Sequence, residues 1–341
     1  MRKTTPDLLK GIAVMLMVQV HLTEVFATTT HAEGFLGKLS LFLGGPPAAP
    51  MFMIIMGYFA MQSGRPFGMQ VWRGVKLILL GMGLNMLLNA HALIRIALGT
   101  LALDPWKFIL GVDILPLAGL SIIVIALLRL AFAKNPLPYL ILLAVVLLMP
   151  FFDSMMMLNG RASFAMAFIG GEYSWSYFPL FPWLAYPLSG CLIFMAEGLT
   201  KAKTFFEKQW LWISLVCLTI AAATAFLAIP HITDLPLYYH HNILLYLWII
   251  LFLMIWYAML QKLNALSETV WPLAYLRWIG KNVTVFYVFQ WIIIGNLGTW
   301  LYHTQGKWML IGWFVGITLV VSLLVLAWNR YMSFRNRDVV L

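Results

Sequence analysis

The sequence predicts an all-α, polytopic integral membrane protein of about ten transmembrane helices, with both termini in the cytosol. Three observations carry this. The chain is 62% hydrophobic and only 10% charged, which leaves too little polar surface to coat a soluble domain. Its apolar runs fall at about 7–27, 41–62, 74–94, 109–131, 137–156, 177–197, 210–229, 242–261, 279–301 and 308–328, each close to the ~20 residues that cross roughly 30 Å of hydrocarbon. Finally, the basic residues are one-sided. With the amino terminus inside, only Lys38, Arg95, Lys107, Arg161 and Lys307 fall outside, and the other 17 of the 22 Lys and Arg fall inside, Arg2, Lys3, Lys201, Lys203 and Arg337 among them. Basic loops resist translocation, so this bias sets the orientation, and all seven histidines then lie toward the outer side. The net charge of +10 reports topology and anionic lipid headgroups and makes no case for nucleic acid.

The whole of 1–341 reads as one transmembrane domain, with no long linker or low-complexity tract. The first span is a poor cleavable signal, because Gln19, His21 and Glu24 interrupt it and no small-x-small site follows. Cys191 and Cys217 fall inside spans and imply neither a disulfide nor a metal site.

Ionisable groups inside hydrocarbon cost several kcal/mol unless paired or hydrated, so each asks for a reason. The first helix opens with Thr4, Thr5, Pro6 and Asp7, a start suited to capping and to the positive end of the helix dipole. Lys10 lies one turn after Asp7 and is placed to pair with it. His21 follows Lys10 by eleven residues on nearly the same face, about 16 Å along the axis. The plain alternative is a lysine that snorkels to lipid phosphates and a histidine bonded to a neighbouring helix. His31 lies just outside this helix, where an ordinary loop histidine is the competing reading.

The third span ends in Asn85, Asn89, His91 and Arg95, with each pair four residues apart on its own face. The amides equally suit interhelical glue, and Asp113 at the start of the fourth span is the expected partner of Arg95. The outer loop 157–176 carries Glu172, Tyr173 and Trp175, which suit either a sugar or a simple interfacial anchor. The ninth span contains Gln290 and Asn296, and its inner end, Gly280, Lys281 and Asn282, reads as a helix start with a cation beside it. Together these residues suggest a polar tunnel, basic at the cytosolic mouth and rich in imidazole, amide and acid groups outside.

The strings DLLKGIAVMLMVQVHL, GGPPAAPMFMIIMGYF, LLNAHALIRIALG, LGVDILPLAGL, YFPLFPWLAYPLSG and WIGKNVTVFYVFQW resemble, in order and spacing, the transmembrane acyltransferase superfamily. The resemblance is nearest to the branch of heparan-α-glucosaminide N-acetyltransferase and extends to the polysaccharide O-acyltransferase (acyltransferase 3) branch. It implies acetyl-CoA, or another acyl-CoA, as donor from the cytosol. It further implies a sugar, amino-sugar or other glycan acceptor outside, a location in the bacterial inner membrane, and no metal. On this reading Lys10, Arg73, Lys76, Arg277 and Lys281 bind the nucleotide phosphates. His21 or His31 is the general base, Asn85 and Asn89 serve the oxyanion, and His91, Arg95, Asp113, Glu172 and Gln290 face the acceptor. Two departures stand out: Lys10 replaces the usual arginine, and Gln290 replaces a histidine common at the end of the ninth-span motif. The two branches place the catalytic histidine differently, one at the position of His21 and the other near His31. Direct attack on the thioester and an acyl-histidine intermediate both remain open, as do N- against O-acylation and assembly as a homo-oligomer. The rival reading is a transporter or flippase for a polar or lipid-linked solute. It suits buried polar groups equally well but lacks an evident internal repeat.

Overall fold

The computed structural model describes residues 5–265 and 270–338. The side chains at 200–207, 211, 265 and 336–338 lie outside that description, as do residues 1–4. Of the inner basic residues, Arg2 and Lys3, with the side chains of Lys201, Lys203 and Arg337, therefore fall outside it.

The described chain is helical, and its only β contacts are two isolated bridges. In chain order the helices begin with α1 (Thr5–Phe26), α2 (Thr29–Glu33), α3 (Phe35–Gly44), α4 (Ala49–Gln62), α5 (Phe67–Leu88) and α6 (Ala90–Ala97). They continue with α7 (Pro105–Ile109), α8 (Ile114–Phe132), α9 (Pro136–Leu148), a 3₁₀ stretch at Met149–Met156, α10 (Arg161–Met166), α11 (Leu180–Trp183) and α12 (Ala185–Glu197). The last are α13 (Thr200–Ala223), α14 (Ala225–Thr233), α15 (Leu235–Tyr239), α16 (Ile243–Ala265), α17 (Trp271–Lys281), α18 (Val283–Leu301) and α19 (Lys307–Asp338).

Among the described residues nine helical segments are long and apolar enough to cross a membrane. A bent pair, Lys208–Ala223 with Ala225–Thr233, makes ten if it is one span. The pair turns by 70° where Thr224 leaves helical geometry (φ −108°, ψ 5°), and the Thr224 hydroxyl donates to the Ile220 carbonyl at 2.7 Å. The second span begins earlier than its apolar window, at Phe35, and is interrupted at residues 45–48, where the Gly-Pro-Pro sequence cannot continue the helical hydrogen bonding.

Contacts divide the chain into two compact units. The first comprises Met1–Gly44, Leu87–Ala102 and Leu263–Leu341, and the second Gly45–Met86 and Leu103–Lys262. In the first unit α1 packs on α17 and α18. Val14, Val18, Leu22 and Phe26, spaced four apart along one face, meet Ile279, Phe286 and Ile294 together with Ile317, Val321 and Val325 of α19. Gln19 and Thr23 join α1 to α3 through Ser40: Gln19 Nε2 donates to the Ser40 carbonyl at 2.9 Å, and the Thr23 and Ser40 hydroxyls lie 2.7 Å apart. Lipid is as apolar as leucine, so close packing and such bonds hold membrane helices together.

The second unit is built on the same logic. A Cβ on Gly57 of α4 would meet the Pro187 carbonyl oxygen of α12 at 2.0 Å, and one on Gly190 would meet that of Ile54 at 2.0 Å. Only glycine allows these backbones to approach so closely. Gly74 and Gly119 play the same part between α5 and α8. Trp183 and Tyr186 are fully buried around His241, whose Nε2 lies 2.9 Å from the Tyr186 hydroxyl and whose Nδ1 lies 2.9 Å from the Tyr238 carbonyl.

Candidate functional site

Helix α1 runs unbroken from Thr5 to Phe26, so the register that puts Lys10 and His21 on one face holds through the whole helix. Near its N-terminal end Lys10 Nζ forms an ion pair with Asp7 Oδ1 at 2.9 Å, both side chains largely buried. The pairing expected from the i,i+3 spacing is present.

Further along α1, His21 is held from two sides by α18. Its ring stacks on Trp291, with centroids 3.9 Å apart and planes at 30°. Its Nδ1 lies 3.2 Å from Nε2 of Gln290, a side chain with no exposed surface. Gln290 Oε1 and Trp291 Nε1 are both buried, and neither has a hydrogen-bond partner among the described residues. Buried polar atoms are rarely left unpaired, since each costs about 1–3 kcal/mol. An unsatisfied acceptor and an unsatisfied donor thus lie on the two residues that grip His21. Gln290 was expected from its type and its span. Trp291 carried no signal of its own, because a tryptophan beside an apolar run reads as packing.

His31 lies in the short helix α2. Its Nδ1 contacts the Thr28 hydroxyl at 2.5 Å. The segment after α18 folds back on the end of α1 nearby: Gln305 N donates to the Phe26 carbonyl at 2.8 Å, and Thr28 N to the Gln305 carbonyl at 3.0 Å. In the same unit α6 carries His91 and Arg95 at the expected four-residue spacing. His91 stacks on Trp300 at 5.2 Å and its backbone N–H donates to Asn296 Oδ1 at 3.1 Å, while its own buried Nδ1 has no partner among the described residues.

Several expectations need correction. Asn85 and Asn89 do not share a helical face, because α5 ends at Leu88 and Asn89 (φ −100°, ψ 13°) precedes α6. Asn85 donates its amide protons to the carbonyls of Gly111 at 2.7 Å and Ile109 at 3.3 Å, which ties it to the segment before α8. Asp113 caps α8, accepting from Ile114 N at 2.7 Å. Gly280 and Lys281 end α17, and the next helix starts at Val283. Between them the Asn282 amide donates to the Trp278 carbonyl and its Oδ1 accepts from Asn329, each at 2.9 Å. Lys281 is exposed and Arg277 partly buried on α17. In the second unit Arg73 and Lys76 are exposed on α5, with Lys76 Nζ 5.3 Å from the Trp72 ring centre. Glu172 is exposed in the outer loop, where its carboxylate favours the charged form of His240 against the burial that pushes that imidazole below its usual range.

A chain of this architecture, with an imidazole and a cation aligned on one membrane helix, belongs to the class of polytopic membrane enzymes or carriers. The family settles which. The model of the acyltransferase 3 family, described as an acyltransferase domain, matches residues 4–327, and the chain belongs to that family. It is a membrane acyltransferase. No curated protein matches it.

Proposed function

We propose that this protein moves an acyl group, most simply acetyl, from cytosolic acyl-CoA to a hydroxyl or amine of an extracytoplasmic sugar, with His21 as general base. The observation that carries the assignment is the seat of His21: an imidazole on the same unbroken helix as Lys10, gripped by Gln290 and Trp291, each with an unsatisfied polar atom. His31, in a short helix and bonded to a threonine, has no comparable seat.

In this reading the acceptor O–H or N–H gives its proton to His21 as the oxygen or nitrogen attacks the thioester carbonyl. The tetrahedral adduct then collapses, the C–S bond breaks, and the proton returns from the imidazolium to the departing CoA thiolate. The unpartnered Trp291 N–H is the donor best suited to the developing oxyanion, with Asn89 of the same unit as a second candidate. Lys10, Arg277 and Lys281, all of the first unit, serve the CoA phosphates as point charges and forks at the cytosolic side. His91 and Arg95 of the same unit serve the acceptor. The membrane is one with cytosolic CoA on its basic side, as in a bacterial inner membrane.

The test is purified protein in detergent with acetyl-CoA and a panel of sugars and amino sugars. Release of free CoA that depends on an acceptor, with label appearing on that acceptor, supports the reading. Solute uptake into liposomes that needs no CoA supports a carrier and defeats it.

A further inference from the structure

We propose that Gln290 is a positioning residue that fixes which nitrogen of His21 carries the proton. The inference rests on the reading of His21 as base. In the structure the amide nitrogen of Gln290 faces His21 Nδ1 at 3.2 Å. An amide nitrogen only donates, so this arrangement keeps the neutral imidazole protonated on Nε2 and makes that nitrogen a donor. A half-turn of the Gln290 amide places Oε1, the buried atom without a partner, at the same point. Oε1 then accepts from Nδ1–H, and Nε2 presents a lone pair to the acceptor. Only this second orientation supports the reaction: when Nε2 takes the proton, both ring nitrogens carry hydrogen, and Nδ1–H needs an acceptor. The Trp291 stack at 3.9 Å holds the ring while the amide turns. Turning also frees the Gln290 NH₂ to donate to a ligand. The proton balance is closed within the site: the proton leaves the acceptor for Nε2, Nδ1–H stays on Oε1 throughout, and Nε2 returns the proton to CoA sulfur.

The experiment combines a spectroscopic and a kinetic measurement on full-length protein in detergent micelles. The first is ¹⁵N NMR of protein labelled at histidine, with CoA bound and the His21 signals assigned by loss in His21→Ala. The wild type is expected to show His21 protonated on Nδ1, and Gln290→Met, which keeps the size but removes the acceptor, is expected to lose that preference. In parallel Gln290→Met lowers kcat about 10²- to 10⁴-fold, the scale seen when a catalytic imidazole is held in the wrong tautomer, with KM for acetyl-CoA unchanged within about twofold. Gln290→Glu retains an oxygen at the contact and restores kcat to within about tenfold. Protonation of His21 on Nε2 in the CoA complex, or the same tautomer in wild type and Gln290→Met, overturns the proposal. If His21→Ala stays fully active while the tautomer still follows residue 290, the base assignment fails and the positioning contact stands.

Discussion

Gly11 lies against Gly280 so closely that a Cβ on Gly280 would stand 2.9 Å from the backbone nitrogen of Gly11 and 1.7 Å from the Asp7 carbonyl oxygen. A Cβ on Gly11 would in turn meet the Leu276 carbonyl oxygen at 1.8 Å. Helices α1 and α17 therefore touch backbone to backbone beside Lys10 and Lys281, the residues that flank these two glycines in sequence. Gly11→Leu and Gly280→Leu are expected to force the helices apart at a cost of about 3 kcal/mol or more. Thermal unfolding followed by size-exclusion chromatography reads this directly, and melting unchanged from wild type in both variants would show that the contact is not needed.

His21 and His31 of the first unit separate cleanly by activity. His21→Ala should lower acyl transfer about 10²- to 10⁴-fold, the usual contribution of a positioned general base, with the protein still inserted and folded. His31→Ala should cost less than about tenfold, because its imidazole sits in a short helix and its Nδ1 contacts the Thr28 hydroxyl. The reverse order of effects in a CoA-release assay would move the base to His31.

The basic residues expected at the cytosolic side differ in purpose, and substitution distinguishes them. Arg277→Gln and Lys281→Gln should each raise KM for acetyl-CoA about tenfold, an effect that narrows as salt screens the phosphates. Arg129 is structural: its guanidinium donates to the carbonyls of Ala60 at 2.9 Å and Ser63 at 2.8 Å, capping the end of α4. Arg129→Gln should lower stability by about 2 kcal/mol and leave KM untouched.

Asn85 tests whether an amide near the outer side serves chemistry or architecture. Its donors are engaged by Gly111 and Ile109, so Asn85→Leu should destabilise the second unit by about 2 kcal/mol. Activity per folded molecule should stay within about threefold. Loss of an oxyanion donor would instead cost about 10²- to 10³-fold in kcat.

The outer layer of the second unit should loosen in acid. Burial among Trp183, Tyr186 and Tyr238 lowers the His241 pKa to about 4 from its ordinary 6.5. The unfolded site binds a proton that the folded site refuses, so stability falls as pH drops from about 6.5 towards 4 and levels off below, by about 3 kcal/mol in all. His241→Gln keeps hydrogen-bonding capacity without the charge. Melting at pH 7 and at pH 4.5 should differ less in this variant than in the wild type, and an equal difference would place the acid sensitivity elsewhere.

What the sequence reveals depends on how local each relationship is. The spans and the Asp7–Lys10 pair could be read from residues a few positions apart, because helix period, bilayer thickness and ion pairing one turn away are local rules. The expected Asn85–Asn89 face was lost because helical spacing was carried past Leu88, where the helix ends.

By itself the sequence determined a polytopic helical bundle, its one-sided charge, the acyltransferase family, and the shared face of Lys10 and His21 on the first helix. Tertiary structure alone decided that Gln290 and Trp291 grip His21 across 269 residues of chain, that Asn85 ties a loop, and that Gly11 meets Gly280. Those contacts join side chains from distant helices, and no propensity or period of a single helix specifies which neighbour its face will meet; the packing of the folded chain does.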